Sequence, residues 1–213
     1  MNNFEKISEN ELQSVGVTLH QYVHRITDAR HMHLETADEN NAFMVAFPTL
    51  SDNSTGVAHI LEHTALCGSE RYPVRDPFFM MLRRSLNTYM NAFTAADTTA
   101  YPFATRNKKD FYNLLSVYLD AVFFPNLHPL DFAQEGWRLE YAEDEKNQGN
   151  LVYHGVVYNE MKGAMSSPLA QLWNHLHAAL FPDTIYAHNS GGDPIEITKL
   201  KHTQLCEFHS RYY

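Results

Sequence analysis

Residues 51–68 read SDNSTGVAHILEHTALCG, and the fold of the whole chain is read outward from them. SDNSTG is turn chemistry, with Ser54 or Thr55 offering a side-chain oxygen as helix N-cap. VAHILEHTALC then reads as a helix that Gly68 is placed to end. Toward the N-terminus, residues 17–27 partly alternate apolar and polar side chains, and 30–34 and 42–49 are also strand-like, so a sheet opens the chain. Toward the C-terminus, Pro73 and Pro77 bound a loop, and PFFMMLRRSL follows as a short helix with Pro77 in its first turn. Residues 88–105 are rich in Thr, Tyr and Phe, with AAD (95–97) as the turn of a hairpin. Helical spacing returns over 108–124, over 156–180 and again from His202 to the end. Helices alternate with strands, which predicts an α+β fold: a mainly antiparallel sheet with helices packed on one face. The length, 213 residues, and 44% hydrophobic content suit a single domain over 1–213. EDEKNQGN (143–150) is the best linker candidate.

Composition narrows the function. A formal charge of -9 disfavours a nucleic-acid or anionic-membrane surface, because phosphate binding draws its affinity from clustered Lys and Arg. The two cysteines, Cys67 and Cys206, form no disulfide framework and no CxxC pair, which fits a reducing compartment. No apolar run approaches the roughly 20 residues that span a bilayer. MNNFEKISENEL is too polar for a signal peptide and too acidic for a transit peptide. The expectation is a cytoplasmic protein of bacterial type, with a mature organellar protein as the alternative.

Within the central helix, residues 59–63 are His-Ile-Leu-Glu-His. At about 100° per residue, His59 and His63 stand one turn apart with Glu62 on the same side. One face therefore presents two imidazoles and a carboxylate. Neutral imidazoles suit zinc, and a carboxylate beside the metal, not on it, can take a proton from an attacking water. This is the H-x-x-E-H order of inverzincins, in which His59 and His63 are ligands and Glu62 the base. The bland reading is an amphipathic helix with solvated His and Glu. His31 with His33, and His175 with His177, are read as forming no metal pair. Cys67 is read as a small buried residue, and Trp137, Trp173, Phe78, Phe79, Met80 and Met81 as core.

Four runs then occur in order: GVAHILEHTALCGSERYPVRDPF (56–78), NAFTAADTTAYPFAT (91–105), QEGWRLE (134–140) and GVVYNEMKGAMSSP (155–168). Together they resemble the presequence-protease and falcilysin branch of the pitrilysin, or insulinase, zinc metallopeptidases, over about residues 15–213. The resemblance implies a zinc endopeptidase that degrades unfolded peptides in a closed chamber of four homologous modules, this chain being the first. It carries zinc onto His59 and His63, the general base onto Glu62 and the third ligand onto Glu160 of NEMKG. The spacing usual in the insulinase branch would instead select Glu140. Local sequence favours Glu160, leaving Glu140 to pair with Arg138 or to orient an imidazole. It also implies that Asn91, Ala92 and Phe93 form an edge strand that binds peptide backbone, an edge being able to pair with any extended chain. The alternative for that segment is an ordinary hairpin with Phe93 in the core.

The family's transition-state-stabilising Arg and Tyr come from the C-terminal half and have no match here. The chain also ends within a helix lacking a Gly or Asn cap, so it is expected to be part of a longer protein and, alone, a poor peptidase. Two other classes stay open. A metal-dependent lyase of the S-ribosylhomocysteine type would close its site with a cysteine, for which Cys206 is the distal candidate. A peptide-binding module without turnover is the other.

Overall fold

The computed structural model describes residues 3–142 and 149–213, so most of the linker candidate lies outside the described residues. The chain forms two compact units, Met1–Glu39 and Asn40–Tyr213. The first is an antiparallel sheet of β1 (Phe4–Leu12), β2 (Val17–His24) and β3 (Arg30–Glu35), with β2 central. The polar composition of β1 hides it from pattern reading. Its side chains are almost all exposed, and its order comes from backbone pairing with β2. On β3, His31 and His33 are two apart and share one face, opposite Tyr22 and His20 of β2.

The second unit contains, in order, β4 (Asn41–Phe47), α1 (Val57–Ala65), α2 (Pro77–Arg84), β5 (Asn87–Met90), β6 (Phe93–Thr94) and β7 (Thr99–Thr105). There follow α3 (Lys108–Phe123), α4 (Pro129–Glu135), a hairpin of β8 (Arg138–Tyr141) and β9 (Leu151–His154), α5 (Val156–Ala164) and α6 (Pro168–Leu180). After a 3₁₀ turn at Ile185–Ala187 come α7 (Pro194–Ile197) and α8 (His202–Tyr212). The main sheet is antiparallel, with β7 between β4 on one side and β5 and β6 on the other. The expected turn at AAD is present, closed by the Ala95 N–H donating to the Thr98 carbonyl at 2.7 Å.

A proline inside a central strand has a local consequence. Pro102 has no N–H to donate. It lies opposite the break between β5 and β6, where its carbonyl accepts from the Asn91 N–H at 3.1 Å. The ladder is thereby interrupted at Asn91 and Ala92, on the outer side of the sheet.

Helices cover the face of the sheet that carries Phe47, Tyr101 and Phe103. Leu114, Tyr118, Ala121 and Val122 of α3 pack there with Phe78 of α2, whereas Met44, on the opposite face, is exposed. A second core forms behind α1. Its Val57, Ile60 and Leu61 meet Phe132 of α4, Val157 and Met161 of α5, Ile197 of α7 and Leu205 of α8. Ile60 and Leu61 are fully buried, so α1 is held on its apolar side and leaves its His/Glu face to the site. This is the mixed helix and antiparallel-sheet fold that the sequence predicts.

Several local expectations are corrected. The N-cap of α1 is Gly56, with no side-chain cap, rather than Ser54 or Thr55. The helix ends at Ala65, three residues before Gly68. The helical stretch 156–180 divides into α5 and α6, with Pro168 opening the second. Phe78 is buried and Trp137 and Met81 are partly so, but Phe79, Met80 and Trp173 are exposed. No helix among the described residues is long and apolar enough to cross a membrane.

Candidate metal and catalytic site

Helix α1 begins at a close backbone crossing. Gly56 has φ +67°, a region in which a Cβ is strained. A Cβ there would also stand 2.8 Å from the Gly191 carbonyl oxygen and 2.9 Å from the Gly192 Cα. Only a glycine lets the loop before α7 come this close. That loop is tied down by the Asn189 N–H donating to Ser54 Oγ at 3.1 Å and the Asp193 N–H donating to the Ser54 carbonyl at 2.8 Å. It delivers the Gly191 carbonyl to His59, whose Nδ1–H donates to it at 3.0 Å.

With Nδ1 so occupied, His59 Nε2 faces Glu160 of α5, at 3.8 Å from its Oε2. The His59 and His63 rings lie 5.0 Å apart, edge to face. Ligand atoms of His59, His63 and Glu160 all lie within 4.8 Å of one another, the one such group of three or more found among the described residues. Two imidazoles and one carboxylate make up a donor set that holds zinc with a position left over for water. Glu160 stands in the second turn of α5, and about half of its side chain is exposed.

Glu62, between the histidines in sequence, is buried and points to the sheet. Its Oε2 accepts from Thr94 Oγ1 of β6 at 2.7 Å. Burial raises its pKa above the ordinary carboxylate value, while the Thr94 hydrogen bond and the two imidazoles act in the opposite sense. A carboxylate so raised is suited to gaining and releasing a proton. His63 Nδ1 donates to Glu135 Oε2, at the end of α4, at 3.1 Å. Burial alone would lower the His63 pKa, but the Glu135 hydrogen bond and the neighbouring carboxylates raise it overall. Burial likewise opposes ionisation of Glu135, and its hydrogen bonds from His63 and Gln134 lower it overall.

These groups line an open cavity of about 530 Å³ that extends past Asn91, Ala92 and Phe93 at the sheet edge. Phe93 is 43% exposed and therefore not a core residue. Glu140 is elsewhere: it pairs with Arg138 at 2.8 Å and with His154 at 3.4 Å, within the β8–β9 hairpin. The carboxylate that accepts a hydrogen bond from an imidazole of the site is Glu135, which spacing did not single out. Thr94 and Gly191 were likewise unforeseen. Cys206 lies on α8 beside His202, at 3.5 Å, and does not join the cluster. Cys67 is buried, its thiol donating to the His63 carbonyl at 3.5 Å, and burial pushes its pKa well up, away from the thiolate form.

Comparison with known proteins gives the family of the chain. The family model "Insulinase (Peptidase family M16)" matches residues 50–171. The chain is 56% identical over 190 residues to the mitochondrial presequence protease of Xenopus laevis, covering 89% of this chain and 18% of that protein. The zebrafish (Danio rerio) mitochondrial presequence protease is 51% identical over 213 residues, covering all of this chain and 21% of the relative. Among solved structures, pitrilysin matches with a TM-score of 0.73 at 18% identity, covering the whole chain and 22% of that one. The chain thus spans about a fifth of the length of these curated relatives. Those relatives are named as mitochondrial, which gives the bacterial cytoplasmic expectation no support and agrees with its organellar alternative. The chain belongs to the insulinase family of peptidases, family M16.

Proposed function

We propose that this chain carries the zinc half-site of a metalloendopeptidase that hydrolyses unfolded peptides, and that it is one module of a longer organellar protein whose remaining modules complete the active site. The observation that carries the reading is the convergence of His59, His63 and Glu160 within 4.8 Å beside the buried Glu62 carboxylate. His59, His63 and Glu160 would hold the metal. Zinc, when bound, supplies Lewis-acid activation of water and of the scissile carbonyl. Glu62 accepts the proton of the attacking water and passes it to the leaving amine, and Thr94 holds the carboxylate in place for both transfers. Asn91, Ala92 and Phe93 lie along the outer segment of the sheet, where β5 and β6 pair with β7 alone among the described strands, so an extended peptide can add to that edge through its backbone. The lyase reading loses its support because the cluster of ligand atoms is closed by Glu160 and does not include Cys206, which lies beside His202 on α8.

The test is metal analysis together with a peptidase assay. The wild-type chain takes up about one zinc, and His59→Ala and His63→Ala take up none. In the longer protein, Glu62→Gln keeps zinc and loses hydrolysis of an unstructured peptide. The 213-residue chain alone stays far below about 1 s⁻¹ for want of the missing stabilising groups. Full zinc occupancy in both histidine variants would refute the ligand assignment, and turnover by Glu62→Gln would remove Glu62 as the base.

A further inference from the structure

We infer that Glu135 is a positioning residue for this site: its carboxylate holds His63 in the tautomer and orientation that turn Nε2 toward the metal position. The inference rests on the zinc reading proposed above. Glu135 closes α4 with a side chain only 11% exposed, and both of its oxygens are engaged. Oε2 accepts from His63 Nδ1 at 3.1 Å, and Oε1 accepts from Gln134 Nε2 at 2.9 Å. Gln134 Oε1 in turn accepts from the Arg75 guanidinium. Burying a carboxylate is unfavourable unless it is paired, and here the group that meets it is the imidazole.

The backbone makes the placement rigid. Gly136 follows α4 so tightly that a Cβ would stand 2.9 Å from the Phe132 carbonyl oxygen and 3.2 Å from Ile60 Cγ2 of α1. Gly155, which precedes α5, crosses the same point, where a Cβ would stand 2.1 Å from the Gly136 carbonyl oxygen. One joint of two glycines therefore sets the end of α4, which bears Glu135, the start of α5, which leads to Glu160, and their distance from α1. The two imidazoles are served differently: a neutral carbonyl takes His59 Nδ1–H, and a carboxylate takes His63 Nδ1–H. An acceptor at Nδ1 leaves the Nε2 lone pair for the metal and raises its basicity.

The experiment is zinc affinity by chelator competition on the 213-residue chain, with ¹⁵N-histidine NMR of the zinc-loaded protein. Glu135→Ala is expected to weaken zinc about 10–100-fold. Its His63 Nδ1–H resonance should be lost to solvent exchange. Glu135→Gln keeps an acceptor oxygen and recovers most of the affinity and that resonance. A purely structural role would lower stability without changing the ring proton. If Glu135→Ala does not fold, Gln134→Ala, which frees Oε1, should weaken zinc several-fold. Wild-type zinc affinity and an unchanged His63 spectrum in a folded Glu135→Ala, or in Gln134→Ala where it substitutes, would overturn the inference. Failure of the metal reading is separately visible, since then the wild type itself takes up no zinc and both fall together.

Discussion

Gly56→Ala tests whether a close backbone crossing builds the site. Two glycines with nearly the same conformation differ only in their surroundings: Gly16 at φ +64° has nothing within 4 Å of a Cβ, and Gly56 at φ +67° has the Gly191 oxygen at 2.8 Å. An alanine in the left-handed region costs about 1–2 kcal/mol at either position. At Gly56 the loop must also retreat, because contacts under 3 Å to backbone cannot be relieved by a rotamer. Overpacking of this kind typically adds about 1–3 kcal/mol, so Gly56→Ala should lose about 2–5 kcal/mol in all. As the loop moves, the Gly191 carbonyl leaves His59 Nδ1, and loss of such a partner weakens metal binding about 10–100-fold. The assay is urea unfolding of the metal-free chain together with zinc affinity, for Gly56→Ala and Gly16→Ala side by side. Gly16→Ala should leave zinc affinity unchanged. Equal zinc affinity in the two variants would show that the crossing does not hold His59.

Two further perturbations follow from the same geometry. Glu160→Gln should reduce zinc affinity far more than Glu140→Gln, since Glu160 faces His59 Nε2 and Glu140 is held by Arg138; the reverse order would transfer the third ligand to Glu140. In the metal-free chain, the Glu135–His63 pair makes stability depend on pH. Glu135 is lowered from 4.5, so its contribution is full above about 4.5 and is lost as pH falls through the folded value. His63 is raised from 6.5, so its contribution is full below about 6.5 and is lost as pH rises through the folded value. The stability gap between wild type and Glu135→Gln, measured by urea unfolding in a chelator, should therefore be widest between about pH 4.5 and 6.5. A gap that keeps growing toward pH 9 would contradict this.

Much of the site was legible in the sequence because its core is local. His59, Glu62 and His63 share a face through helical periodicity alone, and that face is set within five residues. The strands β2, β3 and β4 and the helices α3 and α8 were legible for the same reason, their pattern being repeated over one element, whereas α2 was marked by Pro77 in its first turn and β7 by a stretch rich in Thr, Tyr and Phe. Glu160 was reached only through the NEMKG run and its resemblance, since no periodicity links α5 to α1. Tertiary structure alone decided the rest. Glu135 is 72 residues from His63 and Gly191 is 132 residues from His59, separations over which chain pattern carries no distance information. A buried carboxylate at a helix end looks like any polar residue until packing of α4 on α1 gives it a partner, and a loop carbonyl has no side-chain signature at all. The same limit explains why Glu140 was a competitor in sequence and is not one in space. It lies five residues beyond Glu135, on a hairpin that turns it toward Arg138 and His154 instead of the helix that carries the histidines.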